Sequence, residues 1–374
     1  MVEPEPTPKR MPPWKRLAFV LVLWMPTLIV SFLVIWIVVD LVRLNAVRHA
    51  EIGQAVEAYL EQKRPIPMPW PKQLERVGPH HKRVYLFGAS SVVLSDGATF
   101  NQPLEGRLTR ELNPNIRLIN FGYCGVDSHA IRKAALKSME DGALLPDLLL
   151  FYMGHNDYAN AYHHVISASY DFFIPLQAVA WLFSGRDCDF EAYLRQVTPE
   201  LMESLQETGL VEIDDQDYGC YDRLILDRFE ENLDAILDRA AELAIPVLLV
   251  TPVGSLRQRP YGRRSLVTEP WSKGLVENRH DTALALLTQA KDAEILTFDV
   301  RAKTQLLEFL RGLNRPGVFV YDLDQAWRRA GRDFGSEDFM DYFHLKASAH
   351  KDLADRIFEF IRSRPELLAN LDSG

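Results

Sequence analysis

Cysteine is scarce in this chain, and no part of it has a strong compositional bias. Only 3 of the 374 residues are Cys, which is too few for a Cys-rich zinc protein or a disulfide scaffold. No internal repeat or low-complexity segment occurs. Apolar residues make up 47% and charged residues 25% of the chain, which excludes a wholly disordered or collagen-like protein. What is left is a globular chain, long enough for one large domain with insertions.

Positive charge is also in short supply, and it is unevenly distributed. The formal net charge is −9, yet residues 1–50 hold six Lys and Arg against three Asp and Glu. The rest of the chain therefore carries −12. A domain with that charge repels a phosphate backbone, so we expect no nucleic-acid partner.

One long apolar run lies near the N-terminus. Residues 17–39 contain no charged side chain, and a helix of that length spans roughly 34 Å, enough to cross a hydrocarbon core of about 30 Å. The preceding residues 1–16 are rich in Lys and Arg, which predicts a cytoplasmic N-terminus. A cleaved signal peptide is the alternative, although its apolar region is usually about 7–15 residues long. We therefore expect a single-pass anchor in the inner or plasma membrane, with the main domain periplasmic or extracellular.

Proline marks a boundary ahead of the main domain. Five prolines lie between positions 65 and 79, and this spacing favours a stiff, extended spacer. A loop on the domain surface is the other interpretation. The predicted organisation is a cytoplasmic N-terminus (1–16), a transmembrane anchor (17–39), a membrane-proximal helix with a Pro-rich linker (40–82) and the main domain (83–374).

Within the main domain, short apolar runs alternate with amphipathic segments. The runs span residues 83–87, 116–121, 148–153, 245–251 and 317–321. Continuous apolar strands are typically buried on both faces, and segments between them, such as Arg228–Leu243, have helical spacing. The alternation predicts an α/β fold in which helices cover both sides of a parallel sheet. Ligands bind such sheets at the carboxyl ends of the strands.

Two stretches are longer than a minimal alternation requires. The first, 158–227, contains the aromatic run 170–183, and the second, 252–316, has predicted helices at 282–291 and 303–313. Long insertions beside strand ends are often lids or binding elements. The aromatic run can be the core of the insertion, an acyl-binding lid or a membrane-facing patch. Cys188 and Cys220 can form a disulfide on the far side of the membrane or remain two thiols.

Three of the predicted strands end in residues suited to acyl-transfer chemistry. Ser90, in Gly-Ala-Ser-Ser, follows the first strand and can present its hydroxyl at the sheet edge, although most such serines cap a helix. The second strand leads to Asn-Phe-Gly-Tyr-Cys-Gly, where a glycine N–H can donate to an oxyanion. After the third strand, in Gly-His-Asn-Asp, Asn156 offers a side-chain amide donor. Turn formation is the alternative role of both motifs.

Asp341 and His344 lie just before a predicted helix at 347–361. A serine hydroxyl is barely ionised at neutral pH and needs a base. A histidine supplies that base, and a carboxylate fixes the tautomer of its ring. Their spacing lets Asp341 reach one ring nitrogen of His344 and leaves the other for Ser90. A helix-capping Asp and a packed His are the alternative interpretation.

In order, spacing and placement, these signals resemble the SGNH/GDSL hydrolase family, which is named for Ser, Gly, Asn and His in four sequence blocks. The resemblance implies that Ser90 is the nucleophile and that His344 is its base, paired with Asp341. It implies an oxyanion hole formed by the N–H groups of Ser90 and Gly125 and by the side chain of Asn156.

The resemblance covers residues 83–363 without the two insertions, and it implies a flavodoxin-like three-layer α/β/α fold. One position departs from the pattern, because the chain has Gly-Ala-Ser where the family often has Gly-Asp-Ser. Membership of the GDSL lipase branch is therefore not implied. Ser91 is the rival nucleophile and Gly122 the rival oxyanion glycine, and His155 is a candidate substrate contact.

The resemblance implies a serine esterase that uses neither a metal nor an organic cofactor. Combined with the predicted anchor, it implies removal of O-acyl groups, chiefly O-acetyl, from an envelope or extracellular glycan. A lipase or lysophospholipase and an O-acyltransferase use the same triad. A non-catalytic protein that assists envelope assembly is the alternative outside the enzymes. The expected partners are thus an acylated glycan or lipid and the membrane.

Overall fold

The computed structural model describes residues 71–140, 142–159, 215–258, 260, 268–294, 301–332, 335 and 337–372. No helix within these ranges is both long and apolar enough to cross a membrane. The apolar run 17–39, the aromatic run 170–183 and Cys188 all lie outside them. The anchor, the role of the aromatic run and the disulfide therefore stay predictions.

Five parallel strands form one sheet in the order β2-β1-β3-β4-β5. They are β1 (Lys82–Gly88), β2 (Ile116–Asn120), β3 (Leu148–Tyr152), β4 (Val247–Val250) and β5 (Val318–Tyr321). This is the flavodoxin-like strand order. The predicted parallel α/β sheet is confirmed.

The described helices occupy the segments between and after the strands. They are α1 (Asn101–Glu111), α2 (Ser128–Ser138), α3 (Asp215–Glu242), α4 (Thr268–Val276), α5 (His280–Asp292), α6 (Thr304–Gly312), α7 (Leu323–Arg329), α8 (Ala347–Arg362) and α9 (Pro365–Asp372). The helices expected at 282–291, 303–313 and 347–361 are confirmed as α5, α6 and α8.

Helix α3 begins well before the predicted start at Arg228 and reaches back into the segment expected to be an insertion. The predicted start was too late, because this extension continues the apolar spacing of Phe229 back through Ile225, Tyr221 and Tyr218. The extension carries Asp222, whose carboxylate lies 2.7 Å from the buried Nζ of Lys303. This ion pair joins positions far apart in the chain and leaves no local signal.

Helices cover both faces of the sheet, and alternate strand residues point to opposite layers. Tyr85 and Phe87 pack with α2, α3 and α6, whereas Val84 and Leu86 pack with α1, α7, α8 and α9. All four side chains are at most 1% exposed. The edge strand β5 is only half-buried, so the expectation of burial on both faces was wrong for β5. The three-layer α/β/α arrangement is confirmed.

The strand order places a topological switch point between β1 and β3. The chain leaves β1 toward β2 on one side, while β3 pairs with β1 on the other. The last residues of the two strands are register partners, Gly88 with Tyr152. A crevice outside the carboxyl ends of strands forms at such a point and is where ligands bind in these sheets. Ser90 and Asn156 follow these two strands.

Candidate active site

A short 3₁₀ turn (Ser90–Val92) begins two residues after β1 ends. Glycine is required at position 88, because a Cβ there would come within 2.6 Å of both the Tyr152 carbonyl oxygen and a Val92 methyl group. Ser91 is fully enclosed, and its hydroxyl has no hydrogen-bond partner within the described part of the chain. Ser90 retains 6% exposure. Enclosure of the rival serine favours Ser90 as the nucleophile.

Asn120, the last residue of β2, ties this turn to the glycine loop that follows β2. Its Nδ2 donates to the carbonyl oxygen of Val92 at 2.9 Å, and its Oδ1 accepts the N–H of Gly122 at 2.7 Å. A Cβ on Gly122 would lie 2.1 Å from a methyl group of Val92. Gly122 thus allows close packing of the two loops, and its N–H is already used. Gly122 therefore has a packing role, and Gly125 stays the predicted oxyanion donor.

Gly125 has a φ of +76°, in the left-handed region that glycine adopts without strain, and a Cβ there would meet nothing within 4 Å. The side chain of Asn156 reaches this loop from the end of β3, where its Nδ2 donates to the carbonyl oxygen of Val126 at 2.9 Å. No other partner of this amide occurs among the described residues. Its second hydrogen can therefore be directed at a bound oxyanion.

Asp157 fastens the segment after β3 to the start of α2. Its Oδ1 accepts the N–H of Ser128 at 3.1 Å and also the Ser128 hydroxyl. Nδ2 of Asn232, on α3, donates to the same hydroxyl at 2.9 Å. This buried network spans three elements and constrains the neighbouring Asn156.

Asp341 and His344 share one turn, which is closed by a 2.8 Å hydrogen bond from the Met340 N–H to the His344 carbonyl oxygen. Nδ1 of His344 lies 2.6 Å from Oδ2 of Asp341, as the spacing predicted. Oδ1 of Asp341 accepts the backbone N–H groups of Phe343 and His344, at 3.1 and 2.8 Å. Burial favours the neutral acid, but these bonds from His344 outweigh it and hold the pKa of Asp341 below its usual value.

Nε2 of His344 is buried and has no hydrogen-bond partner within the described residues. Ser90 is therefore not hydrogen-bonded to this nitrogen here. Catalytic hydrogen bonds are often long or absent without substrate and shorten in the substrate complex. A buried ring nitrogen without a partner is available to take a proton from a serine hydroxyl.

Two contacts join the segment after Ser90 to the segment that carries His344. A carboxylate oxygen of Asp96 accepts the N–H of Ala347, at the start of α8, at 2.5 Å. Nε2 of His350 lies 3.3 Å from the carbonyl oxygen of Leu94. The first and last of the sequence blocks are therefore neighbours in space.

His155 packs behind the Asp341–His344 turn. Its ring stacks on Phe343 with a centroid distance of 4.7 Å and an interplanar angle of 14°. Burial, aided by the nearby His344, lowers the pKa of His155 to about 3, so this imidazole is neutral near pH 7. It is 1% exposed, and neither ring nitrogen has a partner in the described ranges. Contact with a substrate, expected from the sequence, would need the site to open.

Exposed apolar side chains occur close in sequence to the candidate site residues. Of the five exposed large hydrophobic residues in the described ranges, three adjoin the candidate residues: Leu94, Tyr123 and Met340. Leu94 follows the Ser90 turn, Tyr123 lies in the glycine loop, and Met340 precedes Asp341. Exposed apolar side chains beside these residues suit the acyl part of an ester better than a highly charged ligand.

The sequence pattern did not indicate roles for Asn120 and Asp157. Asn120 carried one usable signal, a polar side chain that ends a buried apolar strand. Asp157 adjoins the predicted amide donor, but its partners Ser128 and Asn232 are distant in the chain. No group of three or more His, Cys, Asp or Glu side chains in the described ranges is placed to hold a metal ion.

Several of the solved structures that are similar to this chain are named as lipases, acylhydrolases or esterases. One is a lipase/acylhydrolase from Enterococcus faecalis, with 15% identity and a TM-score of 0.35 over 76% of this chain and 96% of that one. A second is an acetyl xylan esterase, with 14% identity and a TM-score of 0.35 over 75% of this chain and 99% of that one. A third is a GDSL-like lipase from Bacteroides thetaiotaomicron, with 12% identity and a TM-score of 0.35 over 84% of this chain and 99% of that one. No family model and no curated protein matches the chain. The function proposed below rests on this chain's own residues.

Proposed function

We propose that this chain is a serine esterase with Ser90 as nucleophile. The carrying observation is the Asp341–His344 pair, whose free Nε2 lies buried in a segment that contacts the one following Ser90. Asn156 supplies an amide donor at the neighbouring strand end. An activated serine needs a base, an orienting carboxylate and oxyanion donors, and these residues supply all three.

In this mechanism, Nε2 of His344 takes the proton of Ser90 as the serine oxygen attacks the ester carbonyl. Asp341 holds the Nδ1–H tautomer and stabilises the imidazolium. The N–H groups of Ser90 and Gly125 and the amide of Asn156 hold the oxyanion. His344 then gives its proton to the leaving alcohol as the carbon–oxygen bond breaks. A water, deprotonated by the same histidine, hydrolyses the acyl-enzyme and returns the serine.

The substrate we propose is an O-acyl group, chiefly O-acetyl, on an envelope or extracellular glycan. The apolar run 17–39 supports it, because an anchor with a cytoplasmic N-terminus holds the esterase domain at the outer side of the inner or plasma membrane. The charge of −12 on the rest of the chain is consistent with a neutral acylated sugar better than with a polyanion.

A lipase or lysophospholipase is the second candidate, and the exposed apolar side chains of Leu94, Tyr123 and Met340, each close in sequence to a candidate site residue, favour it. A longer acyl chain would bury this surface, whereas an acetyl group would leave most of it exposed. An O-acyltransferase uses the same residues but passes the acyl group to a sugar hydroxyl instead of water.

Labelling of the full-length chain with a fluorophosphonate probe tests the nucleophile without knowledge of the substrate. We expect labelling of the wild type and of Ser91→Ala, and none of Ser90→Ala or His344→Ala. We expect Ser90→Ala to abolish turnover and to leave the thermal melt unchanged. A folded wild type that is not labelled would contradict the esterase and favour a non-catalytic role in envelope assembly.

Product analysis then separates the substrate classes. Rates on p-nitrophenyl acetate and p-nitrophenyl decanoate compare the short and long acyl groups. We expect the acetyl ester to be preferred, and a decanoate preference of tenfold or more would favour the lipase. Acyl transfer to an added sugar, at the expense of free acid, would identify an acyltransferase.

A further inference from the structure

The segment between β4 and β5 carries an ion pair that is enclosed on all sides. The side chains of Glu294 and Arg301 are 0% and 1% exposed. Nε of Arg301 donates to Oε2 of Glu294 at 3.0 Å, and Nη2 lies 3.0 Å from the same oxygen. The pair lies within the predicted insertion 252–316, where the sequence pattern indicated no role for either residue.

Arg301 also binds the loop that follows β4. Its Nη1 donates to the carbonyl oxygen of Ser255 and, at 3.3 Å, to that of Gln258. The aliphatic stem of Arg301 packs on the backbone at Gly254, where a Cβ would come within 2.8 Å of its Cγ. One guanidinium therefore connects the buried carboxylate of Glu294 to a loop at the carboxyl edge of the sheet.

That loop contacts the turn that holds the proposed base. The N–H of Ser255 donates to the carbonyl oxygen of Tyr342 at 2.7 Å, and Tyr342 lies between Asp341 and His344. The guanidinium carbon of Arg301 is also 5.4 Å from the centroid of the Tyr342 ring. Arg301 thus reaches the Asp341–His344 turn by a backbone route and by a ring contact.

We propose that Arg301, held by Glu294, is a positioning residue that orients His344 through Ser255 and Tyr342. A buried ion pair loses so much hydration that apolar residues of similar size often give equal or greater stability. Stability alone is therefore a poor reason for this pair. Its donors instead fix two backbone carbonyls, one of them in the residue that hydrogen-bonds the turn. The inference rests on the proposed function in that His344 is taken as the base.

Loss of the pair should loosen the turn and change the direction of Nε2 without touching the substrate. A misplacement of about 1 Å at a reacting group can cost about 100-fold in rate. We therefore expect the double substitution Glu294→Leu/Arg301→Met to lower kcat by about 10- to 100-fold at constant KM. Arg301→Lys keeps the charge beside Glu294 but cannot bind both carbonyls at once, so we expect it to restore part of that loss.

A second buried pair of the same segment provides a matched control. Lys303 and Asp222 lie 2.7 Å apart with side-chain exposures of 2% and 17%, and Nζ of Lys303 lies 5.6 Å from the centroid of the Tyr158 ring, outside the Asp341–His344 turn. The double substitution Asp222→Leu/Lys303→Met should leave kcat within about twofold of wild type. It thereby reports what removal of any buried pair from this segment costs.

The experiment measures kcat, KM and the thermal melt for the full-length variants, together with the NMR signal of the His344 Nδ1–H in chains labelled at histidine. His344→Gln assigns that signal. We expect the Glu294→Leu/Arg301→Met variant to fold, to keep its KM and to show a shifted or exchange-broadened His344 signal. Arg301→Lys should give an intermediate kcat and an intermediate signal.

Wild-type kcat and an unshifted His344 signal in the double variant would overturn the inference, and so would an equal loss in the Asp222/Lys303 control. If the double variant does not fold, Arg301→Lys decides alone, and wild-type behaviour there would overturn it. A wild type with no esterase activity would refute the proposed function instead. In that case the histidine signal still tests whether Arg301 positions the ring.

Discussion

The carboxylate of Asp341 contacts both the ring and the backbone N–H of His344. One oxygen lies 2.6 Å from Nδ1 of the ring, and the other accepts the backbone N–H of the same residue at 2.8 Å. The carboxylate that orients the ring is therefore itself held in place by the backbone of the turn. This double attachment makes Asp341 testable by a substitution that preserves its shape.

Replacement of Asp341 by Asn should reduce kcat by about 100-fold or more, because the amide can keep the backbone hydrogen bonds while its NH₂ group faces Nδ1 and favours the wrong tautomer. The thermal melt should change little. Steady-state kinetics with p-nitrophenyl acetate measure the effect, and Asp338→Asn, a carboxylate outside the turn, serves as the control. Wild-type kcat in Asp341→Asn would mean that another group orients the ring.

Replacement of Asn156 by Ala should lower kcat by about 100- to 1000-fold, the usual cost of one lost oxyanion donor. KM should change little, since the donor acts on charge that develops only in the transition state. Kinetics on the same ester measure the effect. Asn232→Ala, which removes an amide from the Ser128 network instead, should lower stability and reduce kcat far less than Asn156→Ala does. A raised KM with unchanged kcat in Asn156→Ala would assign this amide to ground-state binding.

The two glycines of the loop after β2 should respond differently to alanine. Gly122→Ala places a methyl group 2.1 Å from the stiff, buried Val92 side chain, and overpacking of this kind costs about 1–3 kcal/mol. Gly125→Ala meets no atom but strains a φ of +76°, which costs roughly 1–2 kcal/mol. Chemical denaturation should show a reduced free energy of unfolding in both variants. Only Gly122→Ala should also displace the Ser90 turn.

Fluorophosphonate labelling separates these two effects further. Gly122→Ala should slow labelling because Val92 belongs to the Ser90 turn. Gly125→Ala should keep the turn, so that any slowing of its labelling reports weaker oxyanion binding. Equal stability and equal labelling of Gly122→Ala and wild type would contradict the close packing described for Val92.

Acid should destabilise the fold through two buried histidines. Burial lowers the pKa of His155 to about 3 and that of His350 to about 4, so each is neutral in the folded chain at pH 5 and protonated in the unfolded one. Stability therefore falls as the pH drops below the unfolded pKa near 6.5, by about 2 kcal/mol for each histidine at pH 5. The folded pKa of Asp341 is lowered, so this carboxylate stabilises the fold at neutral pH and loses that contribution only below about pH 4.

His155→Phe isolates one of these contributions, because a phenyl ring can stack on Phe343 without titrating. The free energy of unfolding of this variant should fall less between pH 7.5 and pH 5 than that of wild type, by about 2 kcal/mol. Denaturant titrations at the two pH values measure the difference. The same pH dependence in both proteins would show that His155 is protonated in the folded state.

The strands could be predicted to within two residues at each end, because each is a short apolar run that the sheet buries. Ser90 and Asn156 could be placed at one edge for the same reason, since both directly follow such runs. Asp341 and His344 could be paired because they lie three positions apart. The local sequence pattern was enough to predict those contacts that join residues close in the chain or residues placed together by the parallel sheet.

What could not be predicted depends on contacts between distant positions. Asp222 pairs with Lys303, and Arg301 binds the carbonyl oxygen of Ser255. Neither contact produces a periodic pattern in the sequence. Helix α4 was also missed, since it contains Gly274. That glycine is there because α4 packs closely on α5, where a Cβ would come within 2.8 Å of Leu287.

Asn120 holds the Ser90 turn and the glycine loop after β2 together. Its single side chain holds a carbonyl of the first and an N–H of the second, although the two belong to successive βα units. A change in length of either loop would therefore break both attachments at once. Insertions in this protein should accumulate elsewhere, after β3 and β4. Such insertions can change which ligands reach the site while the spacing between Ser90 and the proposed oxyanion donors stays constant.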